Sequence, residues 1–334
     1  MVRVRLTAAM IAVLSLFVLL PAPAGAQTST PQTWPNRPVT MMVTYAAGGT
    51  TDIIGRIIGI RLAEILKQQV VIENVGGAGG MTGAARVAKA PPDGHQFVLG
   101  NVGTHAQNQT LYRNPSYNAA TDFAPVGLLV DLPMLMVSRT TLPVDNLKEF
   151  IAYAKVNQAK MQYGSAGTGA PTHLACALLN AAIGVNITHV PYRGSALALQ
   201  DMIAGRIDYH CLNASAAIQH IEAKNAKPIT MTTRERSPNF PDLATAQEQG
   251  LKDFVAENWL AFFFPKGTPA AIIKRLNEAA IEAMLTPAVA DQLRKNGADV
   301  VGPERRSPEY LQNFVVTEID KWAGPIKAAK LTGD

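Results

Sequence analysis

Short apolar runs alternate with segments of helical periodicity along the first third of the chain. In the segment 53–66, apolar residues such as Ile54, Ile58 and Leu62 recur at the spacing of one helix face. The predicted order is a strand over 39–45, a helix over 53–66, a strand over 69–73, a helix ending at 90, a strand over 97–99 and a helix over 105–112. This alternation predicts an α/β fold, with parallel sheets covered by helices on both faces.

The same alternation continues through the middle of the chain and ends in helices. Asn146 and Glu149 have the spacing of a capping box at the start of a helix. The predicted helices over 146–156, 172–182 and 195–203 alternate with strands over 161–164, 186–190, 207–212 and 228–232. Toward the end of the chain, Thr268, Thr286 and Ser307 each precede a proline, which is typical of a helix start.

Two long apolar stretches interrupt this pattern. The segment 126–137 is too long for one small strand, and 259–264 forms a second such run. Both are typical of strands that cross between two domains. We therefore predict a discontinuous first domain, made of 27–127 and 254–334, and a second domain over 128–253.

The first 26 residues have the layout of a secretory signal peptide. Arg3 and Arg5 precede a 13-residue apolar segment over 8–20, and Ala24 and Ala26 occupy the small-residue positions before a cut. An uncleaved membrane anchor is the alternative, but 13 residues fall short of the roughly 20 that a bilayer requires. We predict cleavage after Ala26 and export, with no stable membrane insertion.

Composition and charge exclude several classes of protein. The 334 residues are 48% apolar and 16% charged, which excludes a disordered chain. The formal charge is +5, and without Arg3 and Arg5 it is +3, with 28 basic against 25 acidic residues. This mild excess contains no basic run, so we expect no nucleic-acid partner.

The two cysteines leave two interpretations open. Cys176 falls in a predicted helix and Cys211 in a predicted strand. In an oxidising compartment they could pair if their Cα atoms lay within roughly 7 Å. Two buried free thiols are the alternative, and we favour the free thiols.

Sequence motifs for catalysis, metals and cofactors are missing. The chain has no G-x-S-x-G, H-E-x-x-H or P-loop motif, and Thr82 replaces the third glycine of a dinucleotide-binding fingerprint. Six histidines are scattered without ligand spacing. We therefore predict no catalytic residues, no metal and no cofactor.

Loops rich in glycine and hydroxyl groups recur where predicted strands lead into helices. Four such loops cover 45–52, 100–105, 163–173 and 190–195. Glycine lets the backbone approach a ligand, and a helix N-terminus presents free N–H donors with partial positive charge. Four loops of this kind at one sheet edge favour a site for a small anion, although each could also contain only helix caps. Arg193 is the single cationic residue in these loops, so neutral donors would do most of the binding.

A series of motifs resembles the Bug-type periplasmic solute-binding proteins, the extracytoplasmic receptors of tripartite tricarboxylate transporters. The motifs are Gly48-Gly49-Thr-Thr-Asp52 with Arg56, Glu73-Asn-Val-Gly-Gly-Ala-Gly-Gly80, Pro92-Asp-Gly94, Asp122-Phe-Ala-Pro-Val126, Tyr163-Gly-Ser-Ala-Gly-Thr-Gly169 with His173-Leu174, His189-Val-Pro-Tyr-Arg-Gly194 and Pro265-Lys-Gly-Thr-Pro269. They extend over essentially the whole chain.

The resemblance implies a fold and a function. The implied fold is the two-domain, type II periplasmic-binding-protein (Venus flytrap) architecture. Each domain would be a mainly parallel sheet flanked by helices, with two crossover strands and a ligand cleft between the domains. The implied function is a monomeric periplasmic receptor, not an enzyme, that captures a small carboxylate and delivers it to the membrane components of the transporter. We expect a di- or tricarboxylate, with an aromatic acid as a further option.

The resemblance also assigns a set of site residues. In the family, backbone amides and hydroxyls of the first and third loops hold one carboxylate. Carried onto this sequence, the binding residues are Tyr45, Ala46, Gly49, Thr50, Gly164, Ser165, Gly167, Thr168 and Gly169. The predicted cleft wall adds Thr104, His105, Pro191, Tyr192, Arg193 and Asn213.

Several residues near the predicted site permit more than one role. Asp52 would repel a carboxylate, so we expect it to cap the first helix or pair with Arg56. His105 could line the cleft or cap a helix, and for His173 we favour a structural role over ligand contact.

Two departures from the family pattern bear on the ligand. Where many relatives have an acid followed by Asn, this chain has Leu212-Asn213, which makes amino acid ligands less favourable. Where relatives usually have Trp-x-Gly, this chain has Trp259-Leu-Ala261, followed by Phe262-Phe263-Phe264. We expect the phenylalanines to belong to a core strand. An apolar wall for an aromatic or longer acid is the alternative. A secreted enzyme of the same fold, and a receptor for a monocarboxylate or an amino acid, remain alternative functions.

Overall fold

The computed structural model describes residues 34–333. The predicted signal peptide and its cleavage site lie outside these residues. Within 34–333, no helix combines the length and the apolar character needed to cross a bilayer.

The first sheet has six strands within the described residues, in the order β11-β4-β10-β3-β1-β2. β1 pairs in parallel with β2 and β3, whereas β10 runs antiparallel to β3 and β4. The strand bounds are β1 Val39–Val43, β2 Val70–Asn74, β3 Gln96–Asn101, β4 Phe123–Leu132, β10 Asn258–Pro265 and β11 Asp299–Val300.

The second sheet has five strands in the described part of the chain, in the order β7-β6-β8-β5-β9. β6 pairs in parallel with β7 and β8, and β5 runs antiparallel to β8 and β9. The strand bounds are β5 Met134–Arg139, β6 Gln162–Ser165, β7 Thr188–Pro191, β8 Tyr209–Asn213 and β9 Ala226–Met231.

Helices cover both faces of each sheet. Their bounds are α1 Thr50–Leu66, α2 Met81–Ala88, α3 Asn108–Leu111, α4 Leu147–Asn157, α5 Pro171–Ile183, α6 Ser195–Ile203, α7 Ala214–Glu222, α8 Ala270–Leu285, α9 Pro287–Lys295 and α10 Pro308–Ala328. We call the first sheet with its helices the first lobe, and the second sheet with its helices the second lobe. The two-domain α/β architecture agrees with the sequence prediction.

Two of the four helix caps predicted from the sequence are present, whereas Thr286 makes no side-chain bond to α9 and the N-cap of α8 is Pro269 instead of Thr268. Asn146 Oδ1 accepts a hydrogen bond of 2.9 Å from the Glu149 N–H at the start of α4. Ser307 Oγ accepts one of 3.0 Å from the Tyr310 N–H at the start of α10. Each bond satisfies an N–H group that the first helical turn leaves without a backbone partner.

The core follows the alternation of side chains along the strands. Met41 packs with α1 and α8 on one face of the first sheet, and Met42 packs toward α2 and α10 on the other. The cluster on the Met42 side continues into the second lobe, where it includes Tyr163 and Tyr209. A third cluster fills the other face of the second sheet.

The long apolar stretch 126–137 crosses between the sheets, as predicted, whereas 259–264 lies wholly in β10 of the first sheet, after the second crossing. β4 belongs to the first sheet and β5 to the second, and Pro133 separates them. The chain returns through β10, which pairs with β4 along eight residues. The crossover strands are thus the antiparallel elements next to the parallel β-α units of each lobe.

Cys176 and Cys211 form a disulfide, so the favoured expectation of two free thiols was wrong. The packing of α5 on β8 brings their Cα atoms to 5.4 Å, within the range that a disulfide spans. Both residues are fully buried. The bond closes a loop of 35 residues inside the second lobe.

We expect loss of this disulfide to destabilise the protein by about 3 kcal/mol, because the bond restricts the unfolded chain. The measurement is urea unfolding of the Cys176→Ala/Cys211→Ala variant under oxidising conditions. Ala177→Ser, beside Cys176 on α5, serves as a control for substitution in this helix. Equal unfolding free energies for the double variant and the unmodified protein would contradict the prediction.

Candidate functional site

A cleft between the lobes lies where the parallel strands end. Its empty space is about 380 Å³, part of it open to solvent. Residues that follow β1, β6 and β7 reach it, together with the last residues of β3 and β8 and the first residue of β10. The lining residues are Tyr45, Ala46, Gly49, Thr50, Thr51, Asn101, Ala166, Pro171, Thr172, Gly194, Ser195, Asn213 and Asn258. In open α/β sheets, this edge is where ligands bind.

Four helices begin at the cleft. Gly49, Ala170, Gly194 and Asn213 are the N-caps of α1, α5, α6 and α7, and residues at each of these starts line the cavity. None of these four described N-caps makes a side-chain hydrogen bond to its own helix. The helix ends therefore direct N–H donors and partial positive charge into one small space, an arrangement suited to an anion.

The cleft wall itself is neutral. All thirteen lining residues are uncharged, and eight of them carry a hydroxyl or an amide side chain. A bound anion would therefore be held by neutral donors and helix dipoles instead of by ion pairs. Metal binding has no support either, since the described residues contain no cluster of His, Cys, Asp or Glu that could hold an ion.

Tyr45 and Asn101 are fixed from behind the wall. The Tyr45 hydroxyl donates to the Gly79 carbonyl at 2.9 Å, and burial raises its pKa well above the usual value, so it remains a donor. Asn101 and Thr104 exchange hydrogen bonds: the Thr104 N–H donates to Asn101 Oδ1, and the Asn101 N–H donates to Thr104 Oγ1, both at 3.0 Å. This reciprocal pair orients Asn101 in the wall.

The same pair explains a local difference from the sequence prediction. The helix expected over 105–112 begins earlier, as a π-helical turn over Gly103–Gln107 that continues into α3. Its first turn is held by the side chains of Asn101 and Thr104, which the pattern of apolar residues does not reveal.

Asn213 and Asn258 join the crossover strand to the second lobe. Asn258 Nδ2 donates to Asn213 Oδ1 at 3.1 Å, and both side chains are buried at the cleft. Because the Asn213 oxygen receives this bond, its amide NH₂ is the end left to donate. Across the cleft, Thr50 Oγ1 lies 3.1 Å from Ser215 Oγ, which links α1 of the first lobe to α7 of the second.

Asp52 pairs with Arg56, one of the two roles expected for it. Its carboxylate also accepts hydrogen bonds from the Gly48 N–H at 2.9 Å and from Asn74 Nδ2 at 3.0 Å. Burial opposes ionisation, but the bonds from Arg56, Gly48 and Asn74 outweigh it and lower the pKa of Asp52. The Asp52 carboxylate is therefore charged, and its oxygens already accept hydrogen bonds from protein groups. These bonds hold the loop before α1 in place.

The structure brings five of the fifteen predicted site residues to the cleft wall. These are Tyr45, Ala46, Gly49, Thr50 and Asn213. Ten others are outside that lining set, namely Thr104, His105, Gly164, Ser165, Gly167, Thr168, Gly169, Pro191, Tyr192 and Arg193. Whether any of the fifteen touches a ligand stays a prediction.

Most of the ten support the wall from behind or at its edge. His105 is fully buried and stacks on Phe263, with ring centroids 3.8 Å apart, so it neither lines the cleft nor caps a helix by its side chain. The Thr168 carbonyl accepts a bond of 3.1 Å from Tyr112 of the first lobe. Tyr192 donates to Asp201 at 2.8 Å, and Arg193 is exposed.

In the second-lobe loops, the lining positions fall one or more residues beyond the predicted ones. Ala166 lines the cleft next to buried Ser165, and Gly194 and Ser195 line it after Tyr192 and Arg193. Four further lining residues lie in the glycine- and hydroxyl-rich loops predicted from the sequence, namely Thr51, Asn101, Pro171 and Thr172. Asn258 had no sequence signal, because its place at the cleft depends on the pairing of β10 with β4, where it lies opposite Leu132.

The two departures from the family pattern lie in the core. Leu212 is fully buried in the apolar cluster of the second lobe, with Leu135 and Ala198. Phe262, Phe263 and Phe264 are likewise buried in the first lobe, as the core-strand interpretation expected. None of these four side chains lines the cleft.

A second space of about 1190 Å³ lies on the other side of the crossover strands. It contains charged residues that are already paired, such as Arg305 with Asp131 and Lys321 with Glu318. Its wall comes from the crossover strands, the loop 233–238 and α10 instead of from helix N-termini. The interlobe cleft is therefore the candidate site.

Comparison with known proteins identifies the family of the chain. Residues 54–331 match the family model described as tripartite tricarboxylate transporter family receptor, TctC. An Agrobacterium vitis protein, described as "UPF0065 protein in the TAR-I ttuE-ttuC' intergenic region", is 39% identical over 96% of this chain and 91% of its own length.

Two solved structures are similar over nearly the whole chain. MatC from Rhodopseudomonas palustris with bound malate is 37% identical, with a TM-score of 0.85 over 88% of this chain and 100% of its own. A second R. palustris protein, solved with adipate, is 36% identical, with a TM-score of 0.84 over 90% and 99%. The chain belongs to the TctC family of tripartite tricarboxylate transporter receptors.

Proposed function

We propose that the protein is a periplasmic receptor that captures a small di- or tricarboxylate between its lobes and delivers it to the membrane components of a tripartite tricarboxylate transporter. The observation that carries this proposal is the convergence of four helix N-termini on one neutral cleft. Malate in MatC and adipate in the second R. palustris relative are both dicarboxylates, which supports the same ligand class.

In this proposal the lobes correspond to the two predicted domains, 27–127 with 254–334 and 128–253, except that 128–132 are part of β4 and belong to the first lobe. Carboxylate binding stabilises the closed arrangement, because first-turn N–H groups of α1 and of the second-lobe helices contact the ligand together only when the lobes approach. Contacts between the lobes, such as the hydrogen bond between Thr50 and Ser215, then stabilise the closed state further. The mature receptor is an exported monomer without cofactor or catalytic activity.

The test is a thermal-shift panel on the mature protein. Malate, adipate, citrate, benzoate and glutamate are compared with succinamide, which has the size of a dicarboxylate but no charge. A ligand at 100 times its Kd stabilises the folded state by about 2.7 kcal/mol, so at least one di- or tricarboxylate should raise Tm by several degrees. Succinamide should have no effect. A Tm shift with glutamate alone would indicate a receptor for an amino acid, and a shift with benzoate alone would indicate a receptor for a monocarboxylate.

Two results would contradict the proposal. One is the absence of a shift with every carboxylate at millimolar concentration. The other concerns the alternative of a secreted enzyme: release of the ligand from a denatured, saturated sample should return the unchanged compound. A converted product in that sample would assign catalysis to the protein.

A further inference from the structure

Two imidazole rings lie directly behind the second-lobe wall of the cleft. His173 is the third residue of α5 and His189 lies in β7, and their ring centroids are 4.1 Å apart in a stacked arrangement. The Tyr163 ring of β6 lies beside the pair, with its centroid 4.9 Å from that of His189 and 6.4 Å from that of His173. The loop 166–170 passes over this pair and connects β6 to α5.

Backbone N–H groups of this loop are held by the two rings. The Gly169 N–H donates to His173 Nδ1 at 3.3 Å. The Gly167 N–H donates to Ser165 Oγ at 3.0 Å, and that oxygen lies 2.6 Å from His189 Nε2. Each ring therefore fixes one glycine of the loop, directly or through one hydroxyl.

The bond to His173 requires a neutral imidazole, whereas the Ser165 hydroxyl can either donate to His189 Nε2 or accept from it. A neutral ring has one nitrogen that accepts a hydrogen bond, whereas an imidazolium ring has none. The bond from Gly169 requires a bare Nδ1 on His173, which places the proton on Nε2. Since Ser165 Oγ already receives the Gly167 N–H, its own proton is available to His189 Nε2.

The surroundings favour the neutral form of both rings. Burial, and for His173 also the neighbouring His189, lowers the pKa of His173 to about 3, and burial lowers that of His189 to about 4. The positive end of α5 acts on His173 in the same direction. The titratable groups that face the pair are Tyr163 of β6 with Tyr209 and His210 of β8, and none of them is anionic at neutral pH.

We infer that His173 and His189 are positioning residues for the cleft: His173 as a neutral hydrogen-bond acceptor, and His189 through its bond with Ser165, hold the loop 166–170 in the form that binds the carboxylate. The inference rests on the proposed function, because this loop places Ala166 in the wall and leads into the start of α5, where Pro171 and Thr172 also line the cleft. Neither histidine is among the lining residues.

The experiment compares substitutions that keep an acceptor with substitutions that remove it. His173→Asn and His189→Gln retain an oxygen close to the original nitrogen, whereas His173→Leu and His189→Met do not. His220→Leu on α7, outside this pair, is the control for removal of an imidazole. The readouts are amide hydrogen exchange of Gly167 and Gly169, and the Kd for malate and adipate from calorimetry.

We expect exchange of the corresponding glycine amide to accelerate at least about 10-fold in the Leu and Met variants, with a similar loss of malate or adipate affinity. The Asn and Gln variants should stay within about 3-fold of the unmodified protein, as should His220→Leu. In ¹⁵N spectra at pH 7, His173 should be neutral with its proton on Nε2.

Three results would overturn the inference: equal impairment of the Asn and Leu variants, unchanged exchange in the Leu and Met variants, or a proton on Nδ1 of His173. Failure of the proposed function is a separate outcome. If the unmodified protein binds no carboxylate, the exchange and ¹⁵N results still decide whether the rings hold the loop.

Discussion

We expect the Asn213→Asp variant to bind malate and adipate at least about 100-fold more weakly than the unmodified protein. The substitution keeps the shape of the side chain and the oxygen that accepts from Asn258, but it places a negative charge in a cleft whose thirteen lining residues are neutral. Two like charges about 4 Å apart at an effective dielectric constant of about 20 repel by about 4 kcal/mol. Calorimetric titration of each ligand measures the effect.

The control for this variant is Asn186→Asp, which adds the same charge at an exposed position of the second lobe. Its affinity should be unchanged within about 3-fold. Aspartate is as good an N-cap as asparagine, so α7 should be at least as stable in Asn213→Asp. Affinity retained in Asn213→Asp would show that the ligand is not an anion bound at this wall.

The second large effect is a loss of stability on mild acidification. Burial lowers the pKa of His105 and His173 to about 3, and that of His189 and His210 to about 4, while an unfolded histidine titrates near 6.5. Between pH 7 and pH 5 the unfolded chain therefore takes up protons that the folded protein does not. Stability is fully present above about pH 7 and falls as the pH decreases through 6.5.

The expected loss is about 2 kcal/mol between pH 7 and pH 5 for each fully buried ring, of which His105 and His210 are two. Carboxyl groups with lowered pKa, such as Asp52, titrate below this window. Asp299 acts in the opposite direction, because burial and Asp131 raise its pKa. Urea unfolding at the two pH values gives the difference in unfolding free energy.

His105→Phe is the matched variant, because its ring can replace the imidazole in the stack against Phe263. Its stability should depend less on pH, by about 2 kcal/mol over the same window. If His105→Phe and the unmodified protein lose the same free energy from pH 7 to pH 5, His105 is not the buried neutral group described above.

The course of the chain could be predicted from its pattern because that pattern is local. Helical periodicity in 53–66 and the capping box at Asn146 each depend on neighbours a few residues away, and both elements are present. The strands next to the two crossings were visible as apolar runs, since strands in the middle of a sheet are buried on both faces.

The exact wall of the cleft depends on contacts between distant segments. Whether Ser165 or Ala166 faces the cleft is decided at the end of β6 by the bond from Ser165 to His189 in β7. Asn258 reaches the cleft through the register of β10 against β4, which pairs it with Leu132. The disulfide depends in the same way on how α5 packs over β8, which two cysteines 35 residues apart do not reveal.

The most direct measurement is a crystal structure of the protein in complex with malate or adipate. Carboxylate oxygens should lie within about 3.1 Å of backbone N–H groups in the first turn of α1 and of at least one of the second-lobe helices α5, α6 and α7. No Arg or Lys side chain should contact them. A carboxylate held by an ion pair with Arg193, or bound in the space behind the crossover strands, would contradict this account.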